Sequence, residues 1–455
     1  MRTWKRWFLG CTAAAAALFF VNPLQAFAVE PESEVNTEAA GETSDIYQLI
    51  VGDKILVSEY KVTGENYEGV QFDAETNTLT LNNANIISDA EWQQENWGGK
   101  FAPITVNAYQ KEASLTVKLN GSNTAAYKTV YDSDQYGVGR MLEFHALKSV
   151  TFEGNGSLDI SMAGDVDDGI CLDADAGFCD DQMGEYRQPT DFIMKGCTIS
   201  IDAKENTAPL GAMGIRASGD VSLLEQSTFS LNAEGSSTAF TGIASDINEG
   251  SKITMNVTID DSQLRMIGPT GGEYSTVGIS QNDGGIITMR NADVQMDLKD
   301  ATGGRLFDCS TRGTEGKLIL ENSRLEGTEK RHGLTTGLSA VEVRENHQYY
   351  GWNSGEEQKE ISKEELFVPV TSSGKADIKM GYTSYLVVPD PSGGEVLKGD
   401  VNGDGEVNIF DVGKLKNYIA GNEELSDEAI KAGDMDENGE INIFDIGKIK
   451  SEIVS

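Results

Sequence analysis

Two stretches of this 455-residue chain carry the same pattern of oxygen-bearing side chains. Asp400-Val-Asn-Gly-Asp-Gly-Glu-Val-Asn-Ile-Phe-Asp411 recurs further along as Asp434-Met-Asp-Glu-Asn-Gly-Glu-Ile-Asn-Ile-Phe-Asp445. In each, Asp or Asn falls at positions 1, 3, 5, 9 and 12, and glycine at position 6. This spacing suits a hard divalent cation. Carboxylate and amide oxygens converge on one ion, position 7 adds its carbonyl, and glycine allows the sharp turn between them. Two matches with the same flanks make coincidence a poor explanation.

Each loop runs into a segment with helical spacing. Apolar residues recur at Val412, Leu415 and Ile419, and again at Ile446, Ile449 and Ile453, which gives one apolar stripe per helix. Gly421 can end the first helix. A full EF-hand would place a helix before each loop and Glu at position 12. Here a Gly-rich segment precedes the first loop, and position 12 is Asp in both.

With these departures the module resembles type I dockerins over the whole of residues 400–455. The resemblance implies two bound calcium ions and docking on a cohesin domain of a scaffold protein. The ligands it implies are Asp400, Asn402, Asp404, the Glu406 carbonyl, Asn408 and Asp411. The second set is Asp434, Asp436, Asn438, the Glu440 carbonyl, Asn442 and Asp445. It also implies partner contacts from Ile409, Phe410, Lys414 and Lys416, repeated as Ile443, Phe444, Lys448 and Lys450. Ile-Phe stands where the best-known dockerins carry hydroxyl residues, which suggests an apolar hot spot. Alternatively, these residues pack between the two helices. The near-identity of the halves predicts two binding orientations related by a half turn. So small a domain should need its metals to fold.

The rest of the chain must position and deliver this module. Formal charge is −37, which makes nucleic acid an improbable partner. Arg2, Lys5 and Arg6 precede an apolar run and then Ala26-Phe27-Ala28, so residues 1–28 read as a cleaved export signal. No other stretch is apolar enough to span a bilayer, and the expected location is extracellular, associated with a cell surface or cellulosome through the docking module. Residues 29–44 read as an acidic linker and 389–399 as a second, leaving 45–388 as one domain and 400–455 as the docking module.

Residues 45–388 show a repeat. Leu81, Met194, Leu224, Ile259, Met289 and Leu320 serve as anchors, the last five at near-even spacing. Two places on stand Asn83, Gly196, Gln226, Asp261, Asn291 and Asn322, of which all but Gln226 tolerate a left-handed turn. A small residue follows, then an apolar one five places after the anchor: Ile86, Ile199, Phe229, Leu264, Val294, Leu325. Weaker copies begin at Leu119 and Phe152. Units this short cannot bury a face alone and must stack. The predicted fold is mostly β, a right-handed parallel β-helix solenoid, followed by the small all-α calcium-binding module. A propeller, the alternative, needs more residues per repeat. Gly169-Ile170, Gly214-Ile215, Gly242-Ile243 and Gly278-Ile279 form a second ladder, which places Cys171, Arg216, Ala244 and Ser280 in one outward column.

Candidate chemistry on this domain centres on one insertion. Asp165, Asp167, Asp168, Asp173, Asp175, Asp180, Asp181 and Glu185 crowd one edge, where a further calcium would fit; a solvated acidic loop is the alternative. Arg216 would stand one rung away. Calcium, a polyuronate and an arginine base resemble the working parts of β-helix pectate lyases, in which calcium acidifies a proton that arginine removes; a surface ion pair is the alternative. Trp92, Trp97, Tyr349, Tyr350 and Trp352 sit in insertions where their rings could stack on sugars or cap the solenoid. Cys171, Cys179, Cys197 and Cys309 match no metal spacing and read as reduced core residues. Tyr47-Gln-Leu-Ile-Val-Gly-Asp and Phe72-Asp-Ala-Glu-Thr-Asn-Thr-Leu-Thr-Leu-Asn resemble β-helical carbohydrate-binding domains of secreted bacterial proteins. The expected partner is thus plant cell-wall polysaccharide. The alternatives are a polysaccharide lyase or glycoside hydrolase acting on a pectin-like substrate, and a structural or adhesive spacer.

Overall fold

The computed structural model describes residues 43–90, 102–109, 112–132, 139–174, 187–209, 211–246, 251–252, 254–271, 275–281, 284–309, 316–330, 335–372, 375–390, 397–403 and 407–453. Residues 1–28, expected to be an export signal, and Trp92, Trp97, Asp175, Cys179, Asp180, Asp181, Glu185, Asp404 and Glu406 lie outside these residues.

The chain winds through three large sheets in turn. A representative coil gives Ala212–Ala217 to sheet one, Val221–Leu224 to sheet two and Thr228–Asn232 to sheet three. The next coil repeats the order one rung on, so neighbouring strands pair in parallel. The result is a mostly β, solenoid-like stack of parallel sheets. Among the described residues no helix is long and apolar enough to cross a membrane.

The columns read from the sequence are the register of sheet three. Ile199, Phe229, Leu264, Val294 and Leu325 pair rung to rung, as do Ile201, Leu231, Met266 and Met296. All of them are buried apolar side chains, and the second column ends at Gly327. Each stabilises the stack by roughly 1.5–3 kcal/mol through removal from water. Phe144, Phe152 and Phe192 continue the interior, with ring centroids 6.1 Å and 5.7 Å apart.

The turn between sheets two and three explains why the columns align. Asn83, Gly196, Gln226, Asp261, Asn291 and Asn322 all have positive φ, between 43° and 65°. Gln226, the residue least suited to it, adopts that conformation too. It is preceded by Glu225 at φ 56°, so this turn holds one extra residue. The anchor is corrected accordingly: Leu223, not Leu224, pairs with Met194 and Ile259 and is buried. Likewise Leu81 pairs with Leu119, while Phe152 and Met194 line up with Val117 and Leu79. The first coils leave sheet two one inward position later.

Close packing accounts for the glycine ladder of sheet one. A Cβ on Gly242 would overlap the Met266 thioether, and one on Gly278 would overlap Met296 Sδ. Long side chains of sheet three therefore reach the backbone of sheet one, and the paired isoleucines Ile170, Ile215, Ile243 and Ile279 complete the layer.

Both ends of the stack change strand direction. Gln48–Val51 runs antiparallel to Ile104–Asn107, and Ser384–Pro389 antiparallel to Arg324–Thr328. His347–Trp352 pairs in turn with Ser384–Pro389, also antiparallel. Tyr349, Tyr350 and Trp352 are half-buried in it, the capping position. A short helix α1 (Lys363–Leu366) leads into a hairpin, Phe367–Ser372 with Lys375–Met380, whose Phe367, Ile378 and Met380 join the same core.

Three further helices follow: α2 (Ile409–Ile419), α3 (Asp427–Gly433) and α4 (Ile443–Ile453). They enclose a separate small core of Val401, Val412, Leu415, Ala429, Ile446 and Ile449. The third residue of each expected stripe departs from it, since Ile419 and Ile453 are 43 % and 38 % exposed. Helix α3 leads into the second loop; it is N-capped by Ser426 through the Ala429 N–H, and its Ala429 and Ala432 are buried.

Candidate functional site

The two acidic loops fold around their twelfth residues. Asp411, fully buried, accepts the N–H groups of Val401 and Asn402 on Oδ1 and that of Asn408 on Oδ2. Asp445 does the same in the second loop, accepting Met435 and Asn442 at 2.9 Å each. Each carboxylate thus closes its loop onto the first turn of the helix that follows. Asn408 and Asn442 cap those helices by accepting from Phe410 and Phe444. Position 9 is consequently turned toward the helix, in keeping with a residue that reaches a metal through water.

In the second loop Asp434, Asp436 and Asp445 bring one carboxylate oxygen each within 4.8 Å of one another. Gly439 at position 6 has φ 82°. Its N–H and that of Asn438 point at Asp434 and hold that carboxyl below its ordinary range. Asp436 Oδ1 is buried and has no hydrogen-bond partner. A buried acceptor without a donor is costly unless a cation meets it. Three hard oxygens and an orphan lone pair therefore fit one calcium-type ion, held by Asp434, Asp436 and Asp445. In the first loop Asp400 accepts from Gly403 at 2.8 Å, and positions 5 and 7 lie outside the described residues.

Beside the loops, Ile409, Phe410, Ile443 and Phe444 are 61, 72, 70 and 73 % exposed. They do not pack between the helices. Each pair opens a helix that is otherwise anchored by buried neighbours, Asp411 and Val412 or Asp445 and Ile446. Lys416, Lys448 and Lys450 are exposed and Lys414 is half-buried; Lys448 donates to the Met435 carbonyl.

On the solenoid, Glu143, Cys171, Arg216, Ala244 and Ser280 form one register column on sheet one, as the sequence predicts for the last four. The column is not exposed. Cys171 is buried, and Cys171, Cys197 and Cys309 are free thiols. Arg216 donates to Asp168 at 2.7 Å and faces Asp246 at 3.7 Å. Burial opposes its charge, and those carboxylates outweigh the burial, raising its pKa above the ordinary guanidinium range. An arginine so held is a poor base, and the ion-pair alternative describes it. Asp168 also faces Arg140 at 3.4 Å, so two guanidinium groups meet its charge. Asp165 accepts from Thr207, Asp173 is buried at the end of the same strand, and Asp167 is pushed up to about 6 by burial and by Asp168.

The sequence pattern does not single out Arg140, Glu143 or His145. Glu143 pairs with Arg140 and with His145 Nε2 at 3.1 Å. Burial works against its ionisation, but His145 and Arg140 prevail and bring it down to about 2. The one legible signal is the alternation Leu142-Glu143-Phe144-His145, with ionisable residues between large apolar ones.

Residues 398–454 match the family model of the dockerin type I domain. The chain therefore carries a dockerin-type domain, a module that mediates docking between proteins. No curated protein and no solved structure matches the chain.

Proposed function

We propose that the protein is exported through the leader 1–28, docks through a calcium-loaded dockerin (400–455) on a cohesin domain of a scaffold protein, and presents a right-handed parallel β-helix (45–388) to plant cell-wall polysaccharide. The linkers are 29–44 and 389–399. The observation that carries this reading is the pair of exposed Ile-Phe dipeptides at the starts of two helices of nearly the same sequence. Large apolar side chains kept out of a folded core are characteristic of a hot spot awaiting a partner. Calcium supplies the charge that lets two acidic loops close, and the loops in turn fix the helix starts. The lysines beside the Ile-Phe pairs are the rim of the same surface.

Two equivalent edges predict two modes of binding. On the full chain, Phe410→Ala or Phe444→Ala alone should leave cohesin affinity within a few-fold, because the other half still docks. The double variant should lose at least a hundredfold by calorimetry. Equal, large losses in both single variants would sink the two-mode reading. No cohesin binding in calcium would sink the docking reading itself. Polysaccharide contact rests on the resemblance of the β-domain to carbohydrate-binding domains. The lyase alternative needs Arg216 released from Asp168 and Asp246; release of unsaturated products from polygalacturonate by the full chain, abolished in Arg216→Ala, would restore it.

A further inference from the structure

At the N-terminal end of the stack each sheet has a last strand with one unpaired edge, and such edges are open to pairing unless something covers them. Two of the three are covered. On sheet one the last strand is Lys61–Val62. Thr43 bridges Lys61, and the Ser44 N–H donates to the Tyr60 carbonyl at 2.8 Å. On sheet three the Tyr67 hydroxyl stands where a further strand would. It donates to the Asn85 carbonyl and accepts the Ile87 N–H, at 2.9 Å each. A Cβ on Gly52 would overlap the Tyr67 ring, so close packing holds this plug in place.

Sheet two is different. Its last strand, Val70–Asp73, pairs among the described residues only with Thr78–Asn82. Antiparallel partners alternate between pairs that exchange hydrogen bonds and pairs that do not. The Asn82 N–H donates to the Gly69 carbonyl, which sets the phase. Gln71 and Asp73 therefore bond into the sheet, whereas Val70 and Phe72 turn their backbone groups away from it. The Val70 N–H is taken by the Tyr67 carbonyl at 3.0 Å. The Phe72 N–H and carbonyl find no partner among the described residues.

This open edge borders a cleft of about 730 Å³, which gives a further strand room to lie down. Leu56 and Val62 line one side of it, and Gln71 and Asp73 stand exposed on the outward face of the strand. The lining holds two carboxylates, Glu65 and Asp73, against one cation, Lys118, which already faces Glu153 at 3.6 Å. Glu68 and Glu75 are exposed at the two ends of the strand. A second copy of the chain would bring the same carboxylates and be repelled. We infer that the Val70–Asp73 edge is a docking site for an extended basic segment of a partner protein, added to sheet two as one more strand. Main-chain groups pair with Phe72, and alternate side chains point to opposite faces. One set thus lies beside Val62 and Phe72 and favours apolar residues. The other lies beside Gln71 and Asp73 and favours lysine or arginine. This contact is separate from the docking module and does not depend on it.

The test is calorimetry of the full chain with the capped hexapeptide Lys-Val-Lys-Val-Lys-Val and its Glu-Val counterpart. The lysine peptide should bind, and at least tenfold tighter than the glutamate one. Methylating one alternate set of its backbone nitrogens should weaken binding at least tenfold, and methylating the other set should not, as pairing along a single edge requires. Gln71→Lys places a cation in the cleft at a side chain that makes no hydrogen bond among the described residues. It should cost at least tenfold in peptide affinity and leave the melting temperature unchanged. Absence of binding, equal affinity for both peptides, or the same response to either methylation pattern would overturn the proposal. So would self-association in sedimentation that Gln71→Lys abolishes, because the edge would then belong to a second copy.

Discussion

Glu329 is the buried group whose protonation the fold controls most directly. It is almost wholly enclosed, accepts the Leu306 N–H at 3.0 Å, and leaves Oε2 without a partner. Burial pushes its carboxyl up from 4.5 to about 7. The folded state therefore holds a proton that the unfolded chain releases above pH 4.5. Stability from this residue is fully present below that pH and is lost as pH rises toward 7, roughly 3 kcal/mol in all. Denaturant unfolding at pH 4.5 and 7.5 should show that fall in the wild type and a clearly smaller one in Glu329→Gln. An equal fall in both would place the sensitivity elsewhere. At the same scale, Asp445→Ala should abolish calcium binding by the second loop in calorimetry, because two loop N–H groups lose their acceptor along with the metal.

At the scale of the element, the turn after sheet two is where sequence and backbone agree most closely. Asn83, Asp261, Asn291 and Asn322 announce a left-handed residue, and each adopts one. Glu225 and Gln226 adopt it without any intrinsic preference, and both side chains are exposed. Strain of this kind costs roughly 1–2 kcal/mol per residue. Gln226→Gly should raise stability by about 1 kcal/mol in urea unfolding, whereas Asn291→Val should lower it by a similar amount. The register of sheet three is legible because its apolar columns recur at near-constant spacing. Leu223 and Leu224 are both apolar, and nothing local reveals that an extra turn residue shifts the inward role to the first. In the docking module the ligand positions are legible, since oxygen spacing is a local property. Helix α3 is not, because it is too short to show a period. In the charged network of sheet one, Arg216 beside the Asp165–Asp173 carboxylates is legible through the glycine ladder, whereas Arg140, Glu143 and His145 are not, because only stacking brings them there.

For the whole molecule, the two hydrophobic cores share no residue. The acidic loops belong to one of them alone. Scanning calorimetry of the full chain should resolve two transitions. Chelation should lower or erase the smaller and leave the larger nearly unmoved. Phe229→Ala, in the middle of the stack, should cost about 3–5 kcal/mol and move only the larger transition. If chelation shifted both transitions equally, the two cores would be one cooperative unit.

The rung is also a unit of inheritance. Sheet three carries parallel strands from Asn85–Ser88 to Arg324–Thr328, and each pairs in parallel only with those one rung away. Seven steps of roughly 4.8 Å make that stretch about 34 Å long. Duplicating or deleting one whole coil, such as that from Thr198 to Ser227, would change the height by one step and leave every other pairing in register. Reach along the stack can therefore be lengthened or trimmed by whole-coil events, without redesign of either reversed-strand end.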